Sequence, residues 1–181
     1  MQPADPALTQ PQWHADGQNW HESAPLIDHI LVRYHAVHRE QLTELSRLAR
    51  LIESVHADHP QCPHGLAEHL SVLHQELESH MQKEEQILFP LLKRGLGASA
   101  AGPIAVMRRE HDDHSVEVSQ LQSLTHGLAL PEGACGSWQA LYKGLETFID
   151  DLNLHLYLEN NILFEHDFLN NNPSSPEVNH G

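Results

Sequence analysis

Two stretches of this chain place a histidine four residues ahead of a glutamate and close on the same three apolar residues. Ser79–Pro90 reads SHMQKEEQILFP, and Leu154–Glu165 reads LHLYLENNILFE. Aligned on their histidines, both give His-x3-Glu-x2-Ile-Leu-Phe: His80, Glu84, Ile87, Leu88 and Phe89, then His155, Glu159, Ile162, Leu163 and Phe164. Residues four apart stand one above the other on a helix face. In both copies that face is the apolar one. Leu66, Leu70, Leu73 and Leu77 lead to His80, and Leu141, Leu145, Phe148 and Leu152 lead to His155. Imidazole and carboxylate therefore occupy places where a period of 3.6 calls for leucine.

Burying an unpaired carboxylate is costly, so something must compensate it. A single buried His–Glu hydrogen bond would do so for one copy, and lone motifs mislead. Two copies at the same place in the pattern are different. Carboxylates that meet at the centre of a bundle repel one another unless a cation lies between them. The paired motifs predict a metal site.

The elements that carry these motifs are helices. Pro25 begins a first helix, with Ser23 as its cap, running to about Ala57 with Ile27, Leu31, Leu42, Leu45, Ala49, Ile52 and Val55 inward. His59-Pro60-Gln61-Cys62-Pro63 breaks it, and a second helix covers His64 to Arg94, kinked near Pro90 and ended by Gly95. Pro103 opens a third helix to about His126, with Ile104, Met107, His111, Val118 and Leu121 on one side. A loop from Gly127 to Gly136 precedes a fourth, Ser137 to Phe168. Four long amphipathic helices with short connections predict an all-α, up-down-up-down four-helix bundle over residues 25–169. Residues 1–24 read as a flexible arm, with Trp13 and Trp20 as anchors and His14 and His21 solvated, and 170–181 as a disordered tail. The chain also reads as two copies of a helix hairpin: His35 to His111 is a shift of 76, and His80 to His155 a shift of 75. A pseudo-two-fold bundle brings both His-x3-Glu helices into one central layer.

Composition narrows the function. A formal charge of −15 leaves no basic stripe for nucleic acid or an anionic membrane surface. No apolar run reaches the length of a membrane span and the N-terminus lacks a basic, then apolar, leader, so a cytoplasmic location is expected. Cys62 and Cys135 are too few for a disulfide framework or a thiolate site. Seventeen histidines, mostly in the helices, are the compositional anomaly.

The first and third helices must supply the remaining ligands, and each offers His-x2-His: His35 and His38, then His111 and His114. The repeat shift is the same for either pair, so spacing does not choose between them. One histidine from each gives four imidazoles and two carboxylates for two divalent cations, with charge left over for a bridging oxo or hydroxo group. Such a donor set suits iron, with manganese and zinc as alternatives, and differs from the closed tetrahedral set of structural zinc.

These motifs carry a resemblance. RYHAVHREQL at 33–42, SHMQKEEQILFP at 79–90, GPIAVMRREHD at 102–112, ACGSWQALYKGL at 134–145 and DDLNLHLYLENNILF at 150–164 resemble the hemerythrin-like (HHE) superfamily, and more closely its di-iron proteins for Repair of Iron Centres. The resemblance runs from about Trp20 to Phe168. It implies His35, His80, His111 and His155 as ligands to two iron ions, with Glu84 and Glu159 bridging. It implies repair of iron–sulfur clusters damaged by nitric oxide or peroxide, by iron donation, and a centre that reacts with nitric oxide. Iron–sulfur proteins are then the expected targets and nitric oxide and oxygen the small ligands, for a chain that is a monomer or weak dimer. Two departures stand out. Full-length members of that family carry an N-terminal domain with adjacent cysteines where this chain has a short arm, so docking or electron delivery through that domain is not expected. His114 stands where the family has a small or non-histidine residue.

Two further functions compete with repair. An oxygen or nitric oxide sensor or sink would use the same site without turnover; oxygen-carrying hemerythrins have a fifth histidine, for which His38 and His114 are the candidates. An oxidase or peroxidase of the ferritin-like class would use more glutamate and Glu-x-x-His spacing, which this chain lacks.

Overall fold

The structure is a computed structural model that describes residues 22–165. The expected arm up to residue 21, with Trp13, His14, Trp20 and His21, and the tail 170–181 lie outside the described residues.

Four helical runs make the bundle. The first comprises Ser23–Ile30, a turn of π-helix Leu31–His35, and Ala36–Val55. The second comprises Leu66–Lys83, a π turn Glu84–Leu88, and Phe89–Lys93. The third is Gly97–Leu124, unbroken, and the fourth is Gly136–Leu158 followed by a π turn Glu159–Leu163. The first packs along the second and the fourth, and the second packs along the third, in the expected up-down-up-down order. No helix among the described residues is long and apolar enough to cross a membrane.

Several expected boundaries move. Ser23 is already in the first turn of its helix; the extended residue before it is Glu22, whose side chain makes no capping bond. The bundle thus begins two residues before Pro25. The third helix begins at Gly97, with Pro103 inside it. A proline denies one bond to the carbonyl four residues back. Here that is the carbonyl of Ser99, an exposed residue. Pro90 falls in the first turn of the segment Phe89–Lys93, just after the π turn Glu84–Leu88, where a proline is tolerated. Val55, expected inward, is 65% exposed.

The core is divided. One apolar cluster holds Leu42, Leu45, Leu70, Leu73, Leu77, Leu145, Phe148 and Leu152, towards the 56–65 and 125–135 connections. The other holds Ile27, Ile30, Tyr34, Phe89, Ile104, Met107, Leu163 and Phe164, at the opposite end. Between them, at mid-bundle, lies a buried polar layer: His35, His38, His80, Glu84, His111, His114, His155 and Glu159.

Candidate metal centre

Each helix delivers its polar residues to this layer at a particular point. His35 closes a π turn, while Glu84 and Glu159 each open one. Single π turns inside α-helices recur at functional sites, because one wide turn re-aims side chains without ending the helix. His80 and His155 sit one α-turn before the glutamates, and His111 is in the middle of the straight third helix.

The six residues expected from the sequence converge. His35, Glu84, His155 and Glu159 form one group, and His80, Glu84, His111 and Glu159 a second, the donor atoms of each lying within 4.8 Å of one another. Both glutamates belong to both groups, and each divides its oxygens between them. Glu84 Oε2 lies 3.3 Å from His35 Nε2 and its Oε1 lies 3.4 Å from His80 Nε2. Glu159 Oε1 lies 3.0 Å from His155 Nε2 and its Oε2 lies 3.3 Å from His111 Nε2. All six residues are between 0% and 2% exposed.

The outward ring nitrogens explain why the Nε2 atoms face in. His35 Nδ1–H donates to Glu85 Oε1 at 2.8 Å, His80 Nδ1–H to Glu110 Oε2 at 2.9 Å, and His111 Nδ1–H to Asn160 Oδ1 at 2.9 Å. A neutral imidazole that donates through Nδ1 presents a lone pair at Nε2. Arg39 in turn holds Glu85, Lys83 holds Glu110, and Arg108 donates to the Asn160 carbonyl. Aromatic rings wall the remaining sides: Tyr34 stacks on His155, Phe89 on His35 and Phe164 on His111.

Left to itself this layer is unsatisfied. His35 Nε2, both oxygens of Glu84 and Glu159 Oε2 are buried without a hydrogen-bond partner. His80 Nε2 and His111 Nε2 face each other at 3.0 Å, two lone pairs that repel unless positive charge joins them. Burial and then the charge of Glu159 push the Glu84 carboxyl up to about 8. Burial also raises Glu159, but His155 and His111 outweigh it and hold it well below the ordinary range. Two adjacent buried carboxylates without a cation do not both ionise. Imidazole nitrogens and carboxylate oxygens, converging and orphaned, fit a pair of divalent cations.

His38 and His114 occupy the same layer but join neither group. His38 Nδ1 pairs with Gln41 Oε1 at 3.0 Å, and His114 has no hydrogen-bond partner. Burial pushes both down to about 3, His155 adding to the effect on His38 and His80 to that on His114. Asp151, one turn before His155, accepts hydrogen bonds from Arg33 at 2.6 Å and Gln41 at 2.7 Å. The ring partners Glu85, Glu110 and Asn160 were not among the ligands that the motifs predict. The signal was present: Glu85 and Asn160 follow the two motif glutamates at equivalent repeat positions and serve the equivalent histidines, His35 and His111.

A four-helix bundle with a histidine–glutamate layer of this kind defines a class, and comparison with known proteins agrees. Residues 26–166 match the Hemerythrin HHE cation binding domain, and the chain belongs to that family. Among its relatives are proteins described as "Iron-sulfur cluster repair protein YtfE". That of Pectobacterium carotovorum is 51% identical over 152 residues, 83% of this chain and 69% of its own. Those of Citrobacter koseri and Escherichia coli O157:H7 are 54% and 52% identical over 141 and 150 residues, covering 78% and 81% of this chain and 64% and 68% of theirs.

Proposed function

We propose that this is a non-haem di-iron protein of the nitrosative and oxidative stress response, which restores damaged iron–sulfur clusters by supplying iron and reacts with nitric oxide. His35 and His155 would hold one ion and His80 and His111 the other, with Glu84 and Glu159 shared between them. The observation that carries this reading is the division of each carboxylate between two imidazole pairs. Names of relatives that are half identical support the choice of repair.

The bound ions would supply redox change and open positions for a small molecule, since four protein donors do not fill an iron coordination sphere. The residues do the rest. Glu85, Glu110 and Asn160 keep three of the rings in the tautomer whose lone pair faces inward. Tyr34, Phe89 and Phe164 stack on three of the rings and keep bulk water from those sides of the layer. Two carboxylates against two dications leave residual positive charge, which favours an anionic bridge and limits how tightly ferrous iron is held. The expected setting is the cytoplasm, with iron–sulfur proteins as recipients.

Reactivation of a nitric-oxide-damaged cluster enzyme tests the proposal. The iron-loaded protein should restore activity well beyond an equal amount of free ferrous iron, and the Glu84→Leu/Glu159→Leu variant should not. Recovery equal to that of free iron would leave a gas-binding site without repair.

A further inference from the structure

Three of the four imidazoles in the proposed ligand set have a partner for the ring nitrogen that faces away from the centre, and His155 does not. Its Nε2 lies 3.0 Å from Glu159 Oε1, while its Nδ1 is buried and unpartnered among the described residues. The internal repeat shows why. His35 and His111 are equivalent and take the equivalent partners Glu85 and Asn160. His80, the equivalent of His155, takes Glu110. The shift of 76 that carries His35 onto His111 carries Tyr34 onto Glu110. Tyr34 lies flat on the His155 ring, with centres 5.2 Å and planes 6° apart. A stacked phenol covers the face of a ring and leaves its edge without an acceptor.

His38, one turn further along the same helix, carries the matching orphan. Its ring centre is 5.3 Å from that of His155. Two imidazoles joined edge to edge by one N–H···N bond have centres about 5 Å apart. The place of the His38 proton follows from its neighbours. The Asp151 carboxylate accepts from Arg33 at 2.6 Å and from Gln41 Nε2–H at 2.7 Å. With its N–H group turned to Asp151, Gln41 meets His38 Nδ1 through its carbonyl oxygen, at 3.0 Å. Nδ1 must therefore donate, and Nε2 is left with a lone pair. That nitrogen is buried without a partner, on a residue 0% exposed. An orphaned donor and an orphaned acceptor on neighbouring buried rings are costly apart and satisfied together.

We infer that His38 is a positioning residue of the metal centre, whose Nε2 accepts the Nδ1–H of His155 and so aims His155 Nε2 at the ion. The inference rests on the di-iron reading above, since a metal at Nε2 is what leaves the His155 proton on Nδ1. A small turn of either ring forms the bond. Arg33, Asp151 and Gln41 then anchor His38 from the surface, as Arg39 anchors Glu85 and Lys83 anchors Glu110. The two histidines of the first helix thus divide the work: His35 binds, and His38 holds the ring opposite.

The test is competition for ferrous iron with a chelator in wild type, His38→Leu and His38→Gln, with the iron-shifted imidazole N–H signals of each loaded protein recorded by proton NMR. Leucine fills the space and accepts no bond. His38→Leu should hold iron about 10–100-fold more weakly, and one N–H signal should move or be lost to exchange with water. Glutamine sets an amide oxygen near the place of Nε2, so His38→Gln should stay within about threefold of wild type and keep that signal. His38→Leu within about threefold of wild type overturns the inference, and so does His38→Gln as weak as His38→Leu, because the ring would then only fill space. Should His38→Leu fail to fold, Gln41→Leu decides. Gln41 is half-buried and sets only which His38 nitrogen bears the proton. Its loss should shift the same N–H signal, and an unchanged signal overturns the inference. Wild type that binds no iron overturns the di-iron reading itself, whereas iron held equally by every variant overturns the role of His38 alone.

Discussion

At the scale of the residue, what matters is how each inward nitrogen is held and what the carboxylates do without a cation. Glu85 fixes His35 through a 2.8 Å bond and is itself held by Arg39 at 3.0 Å. Glu85→Leu should lower metal affinity by about 10–100-fold, as such partners typically do, read by competition with a chelator. The same change leaves the buried His35 ring without its one hydrogen-bond partner, so the metal-free variant should also lose about 1–3 kcal/mol of stability, read by denaturant melts. Glu84 gives a pH signature. Its carboxyl moves from an ordinary 4.5 up to about 8 in the metal-free fold. An acid with a raised folded-state pKa contributes stability that is whole below its unfolded value and lost as pH rises through its folded one. Chelator-treated wild type should therefore lose stability relative to Glu84→Gln between pH 4.5 and about 8. His38 and His114, pushed down to about 3, lose their contributions as pH falls below 6.5, but both proteins share that limb and it cancels in the difference. Denaturant melts across pH read the comparison; parallel curves would mean that Glu84 does not carry the buried charge described.

At the scale of the element, much was legible and some was not. Four helices, their order and the inward leucines follow from a period of 3.6 that local propensity and tertiary burial both support. The π turns do not show in the pattern, because one extra residue per turn leaves both flanks amphipathic. Nor does spacing separate His35 from His38, or His111 from His114: all four are buried in the same layer, and resemblance alone pointed to His35 and His111. What separates them is where the ring reaches, which the π turn Leu31–His35 sets on the first helix. Pro103 was misread as a start because a proline early in a helix and one at its first turn look alike in sequence. Gly144 leaves room for the Leu45 side chain of the first helix. A Cβ built there would stand 2.8 Å from Leu45 Cδ2, inside the apolar cluster. Gly144→Ala gains helix propensity of about 1 kcal/mol but overpacks that contact by about 1–3 kcal/mol. A net loss of about 1 kcal/mol in chemical denaturation is expected, with iron content unchanged. A gain in stability would mean that Leu45 moves aside freely.

At the scale of the whole molecule, the bundle is two apolar clusters held apart by a polar layer. Natural cores admit such a layer when it has a use, since replacing buried charges by packed hydrophobic groups is often neutral or stabilising. Iron content, optical spectrum and denaturation of wild type beside Glu84→Leu/Glu159→Leu show whether metal is what the layer is for. Wild type should hold about two irons per chain with oxo-bridge charge-transfer bands, and the double variant should hold almost none yet be more stable than metal-free wild type. A double variant that keeps its full iron and its spectrum would contradict the account, because the two glutamates would then have no part in holding metal.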